Sequence, residues 1–539
     1  MNGGRLLVQS LKRHGTEFVF GLVDTTILDI LDALHDEPSI RYISVRHEQV
    51  ASMMADGYAR ATGRPGVCLT QCGAGAMNLL YGVASAHRDS VPLVLITGNI
   101  ESKFIGTDAW HDLDLMGLFA PVTKWTTRVK DAREIPATLE RAFEIAMSGR
   151  PGPVHVNIPK DVQAAKAPAL PEDAAAAANA NPPAISAADV GRAVTMLAEA
   201  ERPVIFAGGG VIWANASDLL LRFSERSGIP VIVSDTARGA IPESHANAFG
   251  PSGFFGSKAA TDALNAADVV LGLGTRFPDV NVGSEAHIGR SKVIQNNIDP
   301  GEIGRRIPVA IGITGDARQC LEAILKEWDA AKRQVPADRA SRVAAVKRAV
   351  EAERVGALTA PAGADSRIPI QAVVREIASV LGKDATVAID GGMHCFFSAR
   401  LQIERPGSFL ISAGLGAMGY GLPAAMGAKL AHPDRPAVAL VGDGGFAMVS
   451  QDLETAVRCN IPVVVVVYNN NAFGAQRIRQ QRDYGGRLFG TTHNNPDYGE
   501  LAKLYGAEGR TVRTISEFRP AFEALLRSGR VGVIDVHIQ

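Results

Sequence analysis

Short β-branched runs alternate with alanine-rich stretches of helical spacing along the whole chain, the pattern of parallel sheets covered by helices on both faces. Val67 to Thr70, Leu93 to Thr97 and Val154 to Ile158 read as strands of a first set. Pro203 to Phe206, Pro230 to Ser234, Asp268 to Leu273 and Lys292 to Ile298 predict a second, Rossmann-like sheet. Further on, Ala437 to Val441 and the near-continuous apolar run Ile461 to Tyr468 read as parallel strands, the latter buried on both faces. Two composition shifts interrupt the alternation: an Ala/Pro-rich stretch from Ala164 to Pro183, and a polar helical stretch from Lys326 to Arg354 followed by Ala360, Pro361, Ala362 and Gly363. Both read as linkers. The prediction is α/β: three doubly wound parallel-sheet domains over residues 1–165, 184–330 and 365–539.

Composition agrees and narrows the function classes. The 539 residues, 46% of them hydrophobic, suffice for about three or four domains. Fifty-five Lys plus Arg against 56 Asp plus Glu leave a formal charge of −1, without the basic field that phosphate-backbone binding needs, so nucleic acid is not an expected partner. Cys68, Cys72, Cys320, Cys395 and Cys459 are scattered, suiting neither a disulfide framework nor a zinc site, and point to a reducing cytoplasm. Cys68 and Cys72 read as small buried apolar residues rather than a redox pair. Met1 to Gly15 has no signal-peptide apolar core, and the longest apolar runs fall well short of the ~20 residues of a membrane span.

Glycine is in surplus, 55 of 539 residues against a usual ~7%. Gly208-Gly209-Gly210 after a predicted strand reads as a tight turn, since no full phosphate fingerprint accompanies it. The strongest constellation lies in the last third. The strand Ala437 to Val441 runs into Gly442-Asp443-Gly444-Gly445, and Ile461 to Tyr468 ends in Asn469-Asn470-Asn471. The right-handed crossover rule places the carboxylate and the amides at one edge of neighbouring parallel strands. Oxygen donors of this kind suit Mg²⁺, which shares its sphere with phosphates, and the glycines let main-chain amides approach a diphosphate. Each half alone reads as a turn after a strand; the pair points to a metal-bound diphosphate.

This pair resembles the thiamine diphosphate binding motif of the family that holds acetolactate synthase, pyruvate oxidase and the 2-oxo acid decarboxylases. Arg46-His47-Glu48-Gln49, Ala55-Asp56-Gly57-Tyr58-Ala59-Arg60 and Gly73-Ala74-Gly75-Ala76-Met77-Asn78 are similar to the family's pyrimidine-domain signatures in the same order. Further matches are Gly149-Arg150-Pro151-Gly152-Pro153-Val154, Ile158-Pro159-Lys160-Asp161, Leu415-Gly416-Ala417-Met418-Gly419 and Gly421-Leu422-Pro423-Ala424-Ala425. The resemblance covers all three segments, and implies a pyrimidine-binding, a central and a diphosphate-binding domain.

It also implies roles. Glu48 would bond the cofactor's pyrimidine N1′, favouring the tautomer whose N4′ removes the thiazolium proton, work that needs a poorly solvated carboxyl. From its position alone Glu48 reads only as a first-turn carboxylate. The Gly416 carbonyl and Met418 amide would grip the aminopyrimidine, with the Met418 side chain wedged beneath the cofactor. Asp443, Asn470 and the Ala472 carbonyl would hold Mg²⁺, while Asn78, Gly391, Gly392, Met393, His394, Gly444, Gly445, Phe473 and Gly474 complete the cofactor site. The chemistry implied is decarboxylation of a 2-oxo acid and carboligation of the remaining fragment, by a homodimer or homotetramer whose sites combine Glu48 and Asp443 of different subunits. Simple decarboxylation to an aldehyde, and acetyl transfer to phosphate of the sulfoacetaldehyde type, are the alternatives. Flavin is left open, for no clear flavin signature lies between Gly250 and Gly283.

Some residues depart from acetolactate synthase. Trp110-His111-Asp112 stands where that enzyme usually has Phe-Gln-Glu, Ala74 where the family often has proline, and Arg479 where it has a tryptophan, with Gln476 nearby. His111, Gln476 and Arg479 therefore predict a polar, cationic pocket for a substrate carrying a second anionic group. Two rival classes fit parts of the same sequence. Gly414-Leu415-Gly416-Ala417-Met418-Gly419 also spells the dinucleotide fingerprint of a dehydrogenase, a reading that leaves Asn469, Asn470 and Glu48 without work. A non-enzymatic nucleotide sensor would lack the acid or the metal ligands, and both are present.

Overall fold

The computed structural model describes residues 1–169, 184–283, 288, 290–332, 335–359 and 367–538. Eighteen strands form three six-stranded sheets, and every pairing is parallel. The first sheet holds β1 (Phe18–Gly21), β2 (Arg41–Ser44), β3 (Gly66–Thr70), β4 (Leu93–Asn99), β5 (Trp125–Arg128) and β6 (Val154–Pro159), in the order β2-β1-β3-β4-β6-β5. The central sheet holds β7 (Pro203–Ala207), β8 (Val231–Val233), β9 (Ala248–Pro251), β10 (Val269–Leu273), β11 (Lys292–Asn297) and β12 (Ile311–Thr314), in the order β12-β11-β10-β7-β8-β9. That is the Rossmann order written from the other edge. The third sheet holds β13 (Thr386–Ile389), β14 (Phe409–Ile411), β15 (Ala437–Gly442), β16 (Val464–Asn469), β17 (Glu508–Val512) and β18 (Gly532–His537), in the order β14-β13-β15-β16-β18-β17. The first and third sheets therefore share one topology.

Six helices matter for the site: α1 (Glu48–Thr62), α2 (Ala74–Asp89), α3 (Arg339–Ala357), α4 (Gly421–Ala431), α5 (Asp443–Ala447) and α6 (Gly474–Asp483). The His47 side chain caps α1 by accepting from the Gln49 amide, and Gly63, at φ 71°, ends it in the left-handed conformation. Between these ends Val50 to Ala59 is buried without a break, so α1 has no solvent face of its own there. It lies against α4, where Ala424, Ala425 and Ala428 are also buried. A Cβ at Gly57 would run into the Ala424 carbonyl, and one at Gly427 into the Met54 carbonyl. The two backbones touch because both residues are glycine. Phe20, Val50 and Leu79 of the first unit and Leu422, Val441 and Phe446 of the third consequently belong to one hydrophobic core. Gly57→Val is expected to cost about 3 kcal/mol or more of stability by overpacking at main chain that cannot yield. Thermal melting checks this; an unchanged Tm would contradict the close approach.

The central unit has its own core and is joined to the third by Arg238, which donates to Glu243 Oε1 (2.8 Å) and to the Ala399 carbonyl (2.9 Å). The polar stretch expected to be a linker after Lys326 is instead packed helix. In α3, Val343 and Val350 are buried in the core of the central unit, and the buried Arg339 donates to the Ser227 and Ala200 carbonyls (3.0 and 2.9 Å). Only a narrow apolar stripe is needed to dock a helix that is otherwise polar. Of the other expected linker, residues 170–183 lie outside the described residues, as do 360–366. Where a tight turn is expected at Gly208-Gly209-Gly210, Gly208 instead caps and Gly209 and Gly210 open a short helix, Gly209–Trp213; Gly208 and Gly210 pack against Gly274, where side chains would meet its main chain. Cys68 and Cys72 are fully buried, and burial pushes both thiols up. Among the described residues no helix is long and apolar enough to cross a membrane.

Candidate active site

In a sheet of this order, the crevice falls at the carboxyl ends of the strands where the winding reverses, here between β13 and β15. A cavity of about 1000 Å³ opens there. Asp443, buried, begins α5 directly after β15 and collects nitrogen donors. Its Oδ1 accepts from the Gly444 amide (2.8 Å), and its Oδ2 from the amides of Asn470 and Ala472 (3.2 Å each) and from Asn495 Nδ2 (2.8 Å). Asn470 Oδ1 accepts from the Ala472 amide as well (3.1 Å). Asp443, Asn470 and Ala472 are thus gathered at one point, as the crossover rule required. Among the described residues no group of three His, Cys, Asp or Glu could hold a metal. The donors offered are one carboxylate, an amide oxygen and main-chain carbonyls, a set that fits Mg²⁺ shared with a diphosphate rather than a metal caged by the protein.

Asn495 is the member that the sequence reading missed. Besides Asp443 it bonds Asn469 Oδ1 (3.0 Å), while Asn469 Nδ2 is held by the buried Asp535 (3.0 Å). Of the pair, Asn470 therefore lines the cavity, whereas Asn469 is turned to Asp535. Asn495 follows no strand and has no characteristic spacing from Asp443, so no local signal announces it.

The cavity wall beside Asp443 is bare backbone. A Cβ on Gly391 would crowd the Gly416 carbonyl, one on Gly444 would meet Phe473 and Met418, and one on Gly445 would strike the Asp390 carboxylate. Gly392 and Met393 line the same wall, and Gly474 opens α6 along it. His394 also lines the cavity, stacked on Tyr468 with ring centroids 5.3 Å apart. Burial pushes its imidazole down to about 4, so the ring is neutral at neutral pH, and its buried Nε2 has no protein partner. A neutral ring nitrogen left unsatisfied at a cavity wall is a group that a bound ligand completes.

The loop Gly414 to Gly419 joins β14 to α4, with Gly416 and Gly419 at φ 67° and 76°. Asp390, at the end of β13, holds it from inside by accepting from the amides of Gly419 (2.9 Å) and Gly421 (2.8 Å). Burial pushes the Asp390 carboxyl up to about 6, against the pull of those amides. This settles the dehydrogenase reading: the amides that would receive a pyrophosphate at the start of α4 already serve an internal carboxylate. The Met418 amide donates to the Tyr81 hydroxyl (2.9 Å), which in turn donates to the Met418 carbonyl (3.2 Å).

Glu48 lies elsewhere, at the carboxyl edge of the first sheet. It opens α1, is buried, and accepts from Asn78 Nδ2 (2.9 Å). Gly75 comes so close that a Cβ there would sit 2.8 Å from Glu48 Oε1. His111, at φ 69°, lies over Gly73 on the same edge, beside a Trp110 that is 83% exposed. Glu48, Asn78 and His111 do not line the cavity of their own chain. These residues and the cavity thus lie at the carboxyl edges of two different sheets of matching strand order.

Arg479, expected in a substrate pocket, is 76% exposed, pairs with Asp483 (3.4 Å) and does not line the cavity of its own chain, whereas Gln476, Arg477 and Gln481 do. The reason is helical phase: residues 477 and 481 share one face of α6, and 479 falls opposite.

Residues 1–118, 190–324 and 390–536 match the N-terminal thiamine pyrophosphate binding domain, the central domain and the C-terminal thiamine pyrophosphate binding domain of the thiamine pyrophosphate enzymes. The chain belongs to that family and is a thiamine diphosphate-dependent enzyme. Within it the similarity is to acetolactate synthase. The acetolactate synthase large subunit of Haemophilus influenzae is 36% identical over 100% of this chain and 94% of its own, and the isozyme 3 large subunit of Escherichia coli 36% over 100% and 95%. A probable large subunit from Methanococcus aeolicus is 35% identical over 100% and 92%.

Proposed function

We propose that the protein decarboxylates a 2-oxo acid and ligates the remaining fragment to an acceptor, using thiamine diphosphate and Mg²⁺. The observation that carries this is the convergence of Asp443, Asn470 and Ala472 beside a glycine cradle, on a chain similar throughout to acetolactate synthase large subunits. Bound thiamine diphosphate supplies a carbon that attacks the 2-oxo acid carbonyl and an electron sink for the departing CO₂. Asp443, Asn470 and Ala472 would hold Mg²⁺, and the bare backbone of Gly444 and Gly445 would leave room for the diphosphate. Gly416 and Met418 would orient the pyrimidine, the Met418 side chain supporting it, and Glu48 would hold the proton exchanged with its N1′.

Since Glu48 stands apart from the cavity of its own chain, the complete site takes the cavity from one copy and Glu48, Asn78 and His111 from another. Apolar side chains exposed on both half-sites support that assembly: Met77, Phe104 and Trp110 on one, Leu415, Met448 and Phe489 on the other. A homodimer or homotetramer working in the cytoplasm follows from this reading.

The polar wall of α6 favours a substrate with a second anionic group, met by Arg477 rather than Arg479. The test is CO₂ release from a panel of 2-oxo acids, with and without aldehyde, oxo acid or phosphate acceptors. Carboligation requires release that speeds up with an organic acceptor. Release without one would make the protein a decarboxylase, and dependence on phosphate an acetyltransferase. Chelation and dialysis should abolish turnover, with recovery only when both cofactors return. On the active substrate, Arg477→Ala should raise KM about tenfold or more, as loss of a charge-assisted hydrogen bond does, and Arg479→Ala much less. The reverse order would restore Arg479 to the pocket.

A further inference from the structure

The Gly414 to Gly419 loop is held from outside as well as inside, and the outer grip comes from the first unit of the same chain. Tyr81, Ser85 and Asp89 stand four residues apart along α2, hence on one face of it. Each bonds the loop or its lead-in. The Tyr81 hydroxyl bridges the amide and carbonyl of Met418. Ser85 Oγ meets Ser412 Oγ at 2.7 Å, and Ser412 Oγ accepts from the Ala417 amide (3.2 Å). Asp89 takes the Ala413 amide on Oδ2 (3.0 Å) and the Gly414 amide on Oδ1 (2.7 Å). Its side chain is only 2% exposed and is balanced by Arg60, 8% exposed, whose Nη2 donates to it (2.8 Å). Arg60 also binds Asp56 Oδ1 (2.6 Å), and the Tyr420 hydroxyl at the end of the loop donates to the same oxygen (2.5 Å).

We propose that Tyr81, Ser85 and Asp89 are positioning residues, a clamp on α2 that holds residues 412–420 in the shape in which Gly416 and Met418 meet the cofactor. The proposal rests on the thiamine diphosphate reading of that loop. Within the third unit Asp390 accepts from the Gly419 and Gly421 amides and Gly391 donates to the Ala417 carbonyl, but the partners described here for the amides of 413, 414 and 418 come from α2 and are lost without it. Asp89 brings a buried charge with a fixed counter-ion, and its bonds to main-chain amides are of the strong, charge-assisted kind. Gly414 is fitted to it, since a Cβ there would lie 2.7 Å from Asp89 Oδ1. Tyr81 can release the Met418 amide to a ring nitrogen while its own hydrogen remains on the Met418 carbonyl. The clamp therefore acts through the loop and does not need to touch the ligand.

The test uses the full chain with Tyr81→Phe, Ser85→Ala and Asp89→Asn, the first removing one oxygen with no change of shape. Calorimetric titration of the apoprotein with thiamine diphosphate and Mg²⁺ gives the cofactor Kd, hydrogen exchange reports on the 412–420 peptide before cofactor is added, and melting of the apoprotein reports on the fold. Expected for Tyr81→Phe and Asp89→Asn is a Kd raised about tenfold, the scale of one well-made hydrogen bond, with faster exchange confined to 412–420 and little change in Tm for Tyr81→Phe. Unchanged Kd and exchange in both variants overturn the proposal, as does a lowered Tm with unchanged Kd, which marks a merely structural contact. A tighter Kd for Tyr81→Phe overturns it too, because the hydroxyl would then compete with the cofactor. If the wild-type protein binds no thiamine diphosphate, the cofactor reading fails, and unchanged exchange in 412–420 would separately dispose of the clamp.

Discussion

Asp443→Ala abolishes cofactor-dependent turnover and weakens Mg²⁺-dependent binding of thiamine diphosphate about a thousandfold or more; that is the expected result. Four nitrogen donors end on this one carboxylate, three of them on Oδ2. Removing it would take away the charged ligand proposed for the metal and leave the Asn470 amide without its acceptor, at about 1–3 kcal/mol for a buried group left unpaired, while the Ala472 amide keeps Asn470 Oδ1. The loop that carries Asn470 then loses its tie to β15, so the second ligand is displaced along with the first. The fold should survive, since β15 and β16 are held by apolar packing on both faces, and Tm should fall by only a few degrees. Asp443→Asn is expected to be nearly as damaging. It keeps the volume, but it either presents an NH₂ to the amides on Oδ2 or loses the bond on Oδ1. Titration calorimetry of the apoprotein decides: wild-type affinity in either variant would remove Asp443 from the site.

Glu48→Gln should have a different signature. Glutamine keeps the shape and can still accept from Asn78 through its carbonyl oxygen, so cofactor affinity and Tm should stay close to wild type. Without an ionisable carboxyl at the pyrimidine, kcat should fall by about 10²–10⁴, the usual share of a positioned acid or base. A variant with normal turnover would deny Glu48 this role. The two variants together also test the assembly. If each site takes Asp443 from one copy and Glu48 from another, every mixed dimer of Asp443→Ala and Glu48→Gln chains contains one intact site. Two inactive proteins made in the same cell should then regain about a quarter of wild-type activity by random two-fold pairing. No recovery on mixing would place the whole site within one chain.

Much of this was legible in the sequence, for identifiable reasons. The run from Ile461 to Tyr468 can only be a strand with apolar packing on both sides, and β16 is buried throughout. Asp443 and Asn470 could be paired because crossover handedness places the ends of β15 and β16 together. What escaped was either non-local or a matter of phase. Asp390, Asn495 and Tyr81 act through contacts between distant segments, and none carries a motif. Arg477 and Arg479 differ by two positions on one helix, and choosing between them requires knowing which face of α6 is turned to the cavity. The polar α3 passed for a linker because the two valines that dock it are outnumbered by charged neighbours. The common strand order of the first and third sheets is a property of pairing between strands, which composition and periodicity do not encode.

The close approach of α1 and α4 has a kinetic consequence. Enzymes that enclose their substrates commonly do so by swinging one lobe against another about a hinge. Here the first and third units share a single core, with main chain against main chain at Gly57 and Gly427, which allows no sliding or opening between them. The two lobes are therefore expected to move as one body. Of the cavity wall, the least anchored part is α6, which buries none of its residues and is followed by glycines 485, 486 and 490 at positive φ. On the proposed function, admission of substrate and release of product are expected at that short rim, on the time scale of a loop rather than that of a domain.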